Sequence, residues 1–153
     1  MENKSAADLW TTYKKEHPNS PDSYEAWGFG DSPEMADDLA KLVVDGIKTA
    51  TASNFVLYEI DEEPLPPLGQ INIILNGKEE AVAVIETTDV EVMPFYKVSE
   101  EHAYLEGEGD RTLAYWRSVH KPFFEKELEA NGLAFSEEML VVCERFKVVM
   151  LPE

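Results

Sequence analysis

The chain has 153 residues, 44% of them apolar, and carries 13 Lys and Arg against 31 Asp and Glu, a formal net charge of −18. A chain of this size can bury a core without disulfides or a structural metal, and its single cysteine, Cys143, excludes a disulfide scaffold or thiolate cage and fits a reducing compartment. The acid excess opposes extended, nonspecific nucleic-acid binding, which needs several Lys or Arg per site, so a small ligand or a local cleft remains. No apolar run approaches the roughly 20 residues of a bilayer span, and the polar first residues lack the apolar segment of an export signal. A cytoplasmic protein without a membrane partner is expected.

Ser5 can cap a first helix carrying Leu9, Trp10 and Tyr13, which Pro18 and Pro21 end. Residues 1–20 then form a helical extension within one domain spanning 1–153. Residues 19–31, with Tyr24, Trp27 and Phe29 among Pro, Gly and Ser, read as an ordered loop docked on the core. Ser32 and Pro33 start a second helix with the stripe Met35, Leu39, Leu42 and Val43, and Gly46 ends it. Residues 53–60 fit either a short helix or a strand. Pro64, Pro66, Pro67 and Gly69 lead rigidly into a strand over 70–75, which pairs with 80–86 across the Asn76-Gly77 turn. Residues 90–95 extend the sheet, and 139–150 add a late strand rich in Val and Phe. Between these lie an acidic helix over 99–106 and a longer one capped by Asp110. The longer helix is lined by Leu113, Trp116, Val119, Phe123 and Leu128, kinked at Pro122 and stopped at Gly132. Strands and helices do not alternate strictly, which excludes a doubly wound parallel sheet. The expected class is α+β: a mixed or antiparallel sheet of five to six strands, curled toward a small barrel and flanked by helices.

Glycine-rich phosphate loops, HxxE or CxxC metal sets and the GxSxG turn are absent from the sequence, so neither a metal nor a cofactor is implied. Two segments can carry chemistry. In Gly46-Ile47-Lys48-Thr49-Ala50-Thr51, a straight strand sends Lys48 and Thr51 to opposite faces, whereas a bend behind the glycine lets them share one. A lysine beside a threonine hydroxyl can serve as its base if burial lowers the ammonium pKa; alternatively the threonines serve β propensity and the lysine faces water. In His102-Ala103-Tyr104-Leu105-Glu106, an offset of four puts His102 and Glu106 on one helical face. Crowding by Glu101, Glu108 and Asp110 would raise a carboxylate pKa there and suit it to acid or base work, unless the helix is simply a solvated acidic face. Trp27, Phe29, Tyr104, Tyr115 and Trp116 can stack a planar ring or fill the core.

This ordered pair of motifs resembles the ASCH domain family, a small barrel similar to the PUA domain. The first segment fits the family's GxKxxT pattern, the second its HAxxE segment, and Trp27-Gly28-Phe29-Gly30 and Glu106-Gly107-Glu108-Gly109-Asp110 look like the bacterial stand-alone branch. The resemblance runs from about Tyr24 to the end of the chain. It implies an amidohydrolase acting on an acylated pyrimidine nucleoside such as N4-acetylcytidine, with Thr51 as nucleophile, Lys48 as its activator and Glu106 as acid or base. Other members are reported as ribonucleases, and an RNA- or nucleotide-binding module without catalysis is the competing expectation, so the implied partner is a small nucleoside-like ligand or a short RNA. The family tends to place an arginine two residues after the threonine; here that position is Ser53. Arg111 is the expected substitute, and Ser53, Trp27, Tyr104 and Arg111 are the expected substrate-binding residues. No oligomeric state follows from the sequence.

Overall fold

Asn3, rather than Ser5, opens the first helix in the computed structural model, which describes residues 3–152. The Asn3 side chain accepts from the Ala6 N–H at 2.9 Å and starts α1 (Lys4–Glu16), while Ser5 Oγ accepts from the Ala81 N–H and ties the helix to the sheet. A second correction falls on residues 19–31, which are not loop throughout. Tyr24–Gly28 forms β1, an edge strand parallel to β3 (Ile71–Leu75). Its pairing partner lies far along the chain, so flanking Pro and Gly dominate its local pattern. Gly28 allows the close approach, since a Cβ there would sit 3.0 Å from the Leu75 carbonyl oxygen.

The second helix, α2 (Pro33–Val44), is capped by Ser32 as its hydroxyl requires. Ala36, Ala40 and Val43 form its buried line, flanked by half-buried Met35, Leu39 and Leu42. The ambiguous stretch is both things in turn: β2 (Ala50–Asn54) and then α3 (Phe55–Ile60). The Asn76-Gly77 hairpin joins β3 to β4 (Ala81–Pro94), one 14-residue strand covering both segments expected on either side of residue 88. Its register shifts between Thr87 and Asp89, and such a bulge bends a long strand.

A single turn (Phe95–Lys97) leads to α4 (Glu100–Glu106) and α5 (Leu113–Ala130), then β5 (Leu140–Met150). Thr112, not Asp110, caps α5; Asp110 accepts from the Thr112 N–H and hydroxyl and so supports the cap from behind. The buried line of α5 is Trp116, His120, Phe124 and Leu128, so the expected stripe through Val119 and Phe123 is rotated.

The strands lie in the order β1-β3-β4-β5-β2, parallel only between β1 and β3. The edges β1 and β2 do not pair, so this mixed sheet is a half-barrel. Strand alternation sorts the core. Ile71, Ile73 and Val84 pack on Ala6, Leu9 and Tyr13 of α1. Ile74, Ala83, Ile85 and Phe146 face the opposite way and meet Phe29 with Ala40 and Val43 of α2. Val141 and Cys143 join Phe95, Ala103, Trp116 and Phe124 under α4 and α5. Among the described residues no helix is long and apolar enough to cross a membrane.

Candidate active site

Gly46, at φ +76°, turns the chain out of α2, and the Ile47 and Lys48 N–H groups both donate to the Leu42 carbonyl. Residues 47–49 are then clamped. The Thr49 N–H donates to the Leu105 carbonyl at 2.7 Å, and the Phe146 N–H donates to the Thr49 carbonyl at 3.0 Å. This is the bent alternative of the two the sequence allowed, and it turns Lys48 inward.

Lys48 is 1% exposed. Its Nζ donates to the Ala50 carbonyl at 2.9 Å, to Glu108 Oε2 at 3.0 Å, and to Glu106 through both the carbonyl and Oε1 at 3.4 Å, with the Phe29 ring 5.2 Å away. Three ammonium protons thus meet acceptors on three residues. Glu106 is equally buried. Its Oε2 accepts from Trp116 Nε1–H at 2.6 Å and from His102 Nε2 at 2.7 Å, and its Oε1 lies 3.3 Å from His120 Nε2.

Burial by itself would raise the Glu106 pKa, but the Lys48 charge and the hydrogen bonds from His102 and His120 hold it well below the ordinary carboxylate range. The raised value expected from acidic crowding is therefore not found. Glu108 pairs with Lys48 and Glu101 with Arg145, so each of these carboxylates has a cation of its own. Burial lowers the His120 pKa, yet the hydrogen bond and charge of Glu106, with Glu108 and the Trp116 carbonyl, raise it overall. His120 Nδ1 lies 2.9 Å from that carbonyl and its ring stacks on Trp116 at 4.2 Å. Both ring nitrogens face acceptors, which suits an imidazolium.

One donor atom from each of Glu106, Glu108 and His120 lies within 4.8 Å of the others, a spacing that could hold a metal ion. Lys48 Nζ already contacts both carboxylates of that group, so the cation there is the ammonium.

Lys48, Thr51, Glu106, Glu108 and His120 line one narrow cavity of about 60 Å³. Thr51, Ala52, Phe29, Gly30 and Phe123 also line a larger cleft of about 610 Å³, placing Thr51 on the wall common to both. Trp27 and Ser53 line the larger cleft: Trp27 Nε1–H donates to Asn72 Oδ1 at 2.9 Å, and Ser53 Oγ lies 2.9 Å from the Tyr58 hydroxyl. Four carboxyl groups, Glu25, Glu63, Glu127 and Glu144, share that wall with no Lys or Arg. Burial raises the Glu144 pKa to about 7; burial, helped by Asp31, also raises that of Glu127, whose Oε1 is buried without a hydrogen-bond partner among the described residues. A cavity of similar size, about 620 Å³, lies between α1 and the end of β5, away from this chemistry.

Tyr104 and Arg111 are not brought to the cleft. The Arg111 guanidinium stacks 3.6 Å over the exposed Tyr104 ring and its Nε–H donates to the Tyr104 carbonyl, so the two occupy each other, and neither lines either cavity. In this arrangement the Arg111 guanidinium faces Tyr104 rather than the wall that carries Thr51. Tyr115 is also exposed, whereas Trp116 is core and holds Glu106. Sequence reasoning missed His120, Asn72, Glu127 and Glu144. A repeat of four through Trp116, His120, Phe124 and Leu128 marks the first, and a lone acid inside the apolar run of β5 marks the last.

An open α+β half-barrel of the PUA-like kind, with a buried ammonium–carboxylate–imidazole cluster under its cleft, defines the class. The chain belongs to the ASCH domain family, which it matches over residues 25–150. It is similar to protein EF3133 of Enterococcus faecalis V583, at 44% identity and TM-score 0.90 over 97% of this chain and 90% of that one. An ASCH domain from Lactobacillus crispatus JV V101 is 34% identical, with TM-score 0.90 over 97% of this chain and 96% of the other. No curated protein matches the chain.

Proposed function

We propose that the protein is an amidohydrolase that removes the acyl group from an N4-acylated, cytidine-like nucleoside, with Thr51 as the nucleophile. The observation that carries this reading is the position of Thr51 between the cavity holding Lys48 and Glu106 and a cleft of about 610 Å³, a volume within the range of small-molecule sites. Lys48, engaged by Ala50, Glu106 and Glu108, serves as a fixed positive charge that stabilises the oxyanion formed at the attacked carbonyl. Glu106, held strongly acidic by its partners, keeps that ammonium in place rather than donating a proton.

Trp27 supplies aromatic surface for a base at the cleft, backed by the edge-on ring of Phe29. An acidic wall suits an uncharged nucleoside and opposes a phosphodiester, which weighs against the ribonuclease and RNA-binding readings. The test is release of cytidine and acetate from N4-acetylcytidine by purified protein, with Thr51→Ala abolishing turnover. Absence of turnover by the wild type across a series of N4-acylcytidines overturns the reading.

A further inference from the structure

A threonine hydroxyl that attacks a carbonyl must lose its proton, and neither Lys48 nor Glu106 is fit to take it. The ammonium has all its protons placed on acceptors, and the Glu106 carboxylate is held by Lys48, His102, Trp116 and His120. On the cleft side the situation differs. Thr51 of β2 stands directly across the antiparallel ladder from Glu144 of β5. Residues so opposed project to the same face with Cβ atoms about 4.5–5.5 Å apart, and both line the larger cleft.

We propose that Glu144 is the catalytic base and acid that works with Thr51. In the first step the Glu144 carboxylate takes the Thr51 proton as Thr51 Oγ bonds to the acyl carbon. The resulting tetrahedral intermediate collapses, the C–N bond breaks, and Glu144 returns the proton to the departing nitrogen. Water then enters, gives one proton to Glu144 and bonds to the acyl carbon of the threonine ester. The C–O bond to Thr51 breaks, the acid leaves, and the proton passes from Glu144 to Thr51 Oγ, restoring both groups.

A general base works best when its pKa lies near the working pH, and burial brings Glu144 to about 7. The groups facing it bring no positive charge. Glu25 on β1, Tyr58 on α3, Glu63 in the following loop and Glu127 on α5 share the cleft, and none is a cation. Val90 of β4 lies beside it in the sheet, and Arg145 pairs with Glu101.

The assignment rests on Thr51 being the nucleophile but not on the identity of the substrate, so the test uses p-nitrophenyl acetate as a generic acyl donor. The readout is the rate at which acetyl appears on the Thr51 peptide, by mass spectrometry, against pH. In the wild type the rate should rise through a single titration near pH 7, as the base form accumulates. Glu144→Gln should slow acylation about 100-fold or more and erase that titration, while Glu144→Asp keeps it at a reduced rate. The wild-type profile is read without any substitution, so a folding defect in a variant does not blunt the test. Acylation of Glu144→Gln at the wild-type rate, persistence of the titration in that variant, or no acetyl on Thr51 in the wild type overturns the assignment. Glu144-dependent acylation together with no turnover of N4-acetylcytidine keeps it and sinks only the proposed substrate.

Discussion

Lys48 and Glu106 are each almost sealed from water, so their pairing does little for net stability while the loss of either partner is costly. Glu106→Gln removes the carboxylate that faces His120 and leaves Glu108 as the one counter-charge beside Lys48, and urea denaturation should show a loss of about 3–5 kcal/mol. Lys48→Met should cost less, because His102, Trp116 and His120 still satisfy the carboxylate. The folded pKa of Glu106 lies below its ordinary 4.5, so its stabilisation is present above that value and is lost as pH falls through the depressed one. His120, raised above 6.5, stabilises fully below that pH and loses its contribution as pH rises through the folded value. Glu144 behaves oppositely to Glu106: raised from 4.5 to about 7, it costs stability as pH climbs across that window. Glu144→Gln should therefore gain on the order of 2–3 kcal/mol above about pH 8, measured by urea denaturation against wild type. Equal stability there would contradict the buried, titrating carboxyl. The Lys48 and Thr51 positions were legible because their spacing matches a motif; His120 and Glu144 were not, because their roles arise from contacts across elements.

Two glycines frame the segment that carries Lys48, and they should respond differently to a methyl group. Gly46 has φ +76° with nothing within 4 Å of an added Cβ, whereas at Gly107, φ +73°, that atom would lie 2.7 Å from the Ile47 carbonyl oxygen. Gly46→Ala should cost about 1–2 kcal/mol from backbone strain alone. Gly107→Ala adds a clash that pushes residues 47–49 off α4, so thermal denaturation should show a clearly larger loss, with turnover falling too. Equal effects of the two would refute the clamp between α4 and the Lys48 segment. Elements with local signals, such as α2 with its Ser32-Pro33 start and the Asn76-Gly77 hairpin, were readable from the chain itself. The edge strand β1 was hidden because its ladder is parallel and its partner distant. The face of α5 was misjudged because His120, polar by type, fills a core position in place of Val119.

At the scale of the whole molecule, a net charge of −18 and four carboxyl groups along the cleft act on any ligand in the same sense. A nucleoside should bind more tightly than its 5′-phosphate. In calorimetric titrations the ratio should narrow as salt rises, because screening weakens the repulsion; a tighter phosphate would argue for a different ligand class. The α+β class was accessible from the irregular order of elements, and the ASCH resemblance from two short motifs. The open, unclosed sheet was not, because closure depends on how β1 and β2 lie across the molecule. Cys143 sits in mid-sheet under α4 and α5, its thiol pushed up to about 12, chiefly by burial. A sulfur so shielded is inert while the fold is closed, so its rate of alkylation clocks excursions to the open state, and the wild-type chain carries its own unfolding reporter without any added label site.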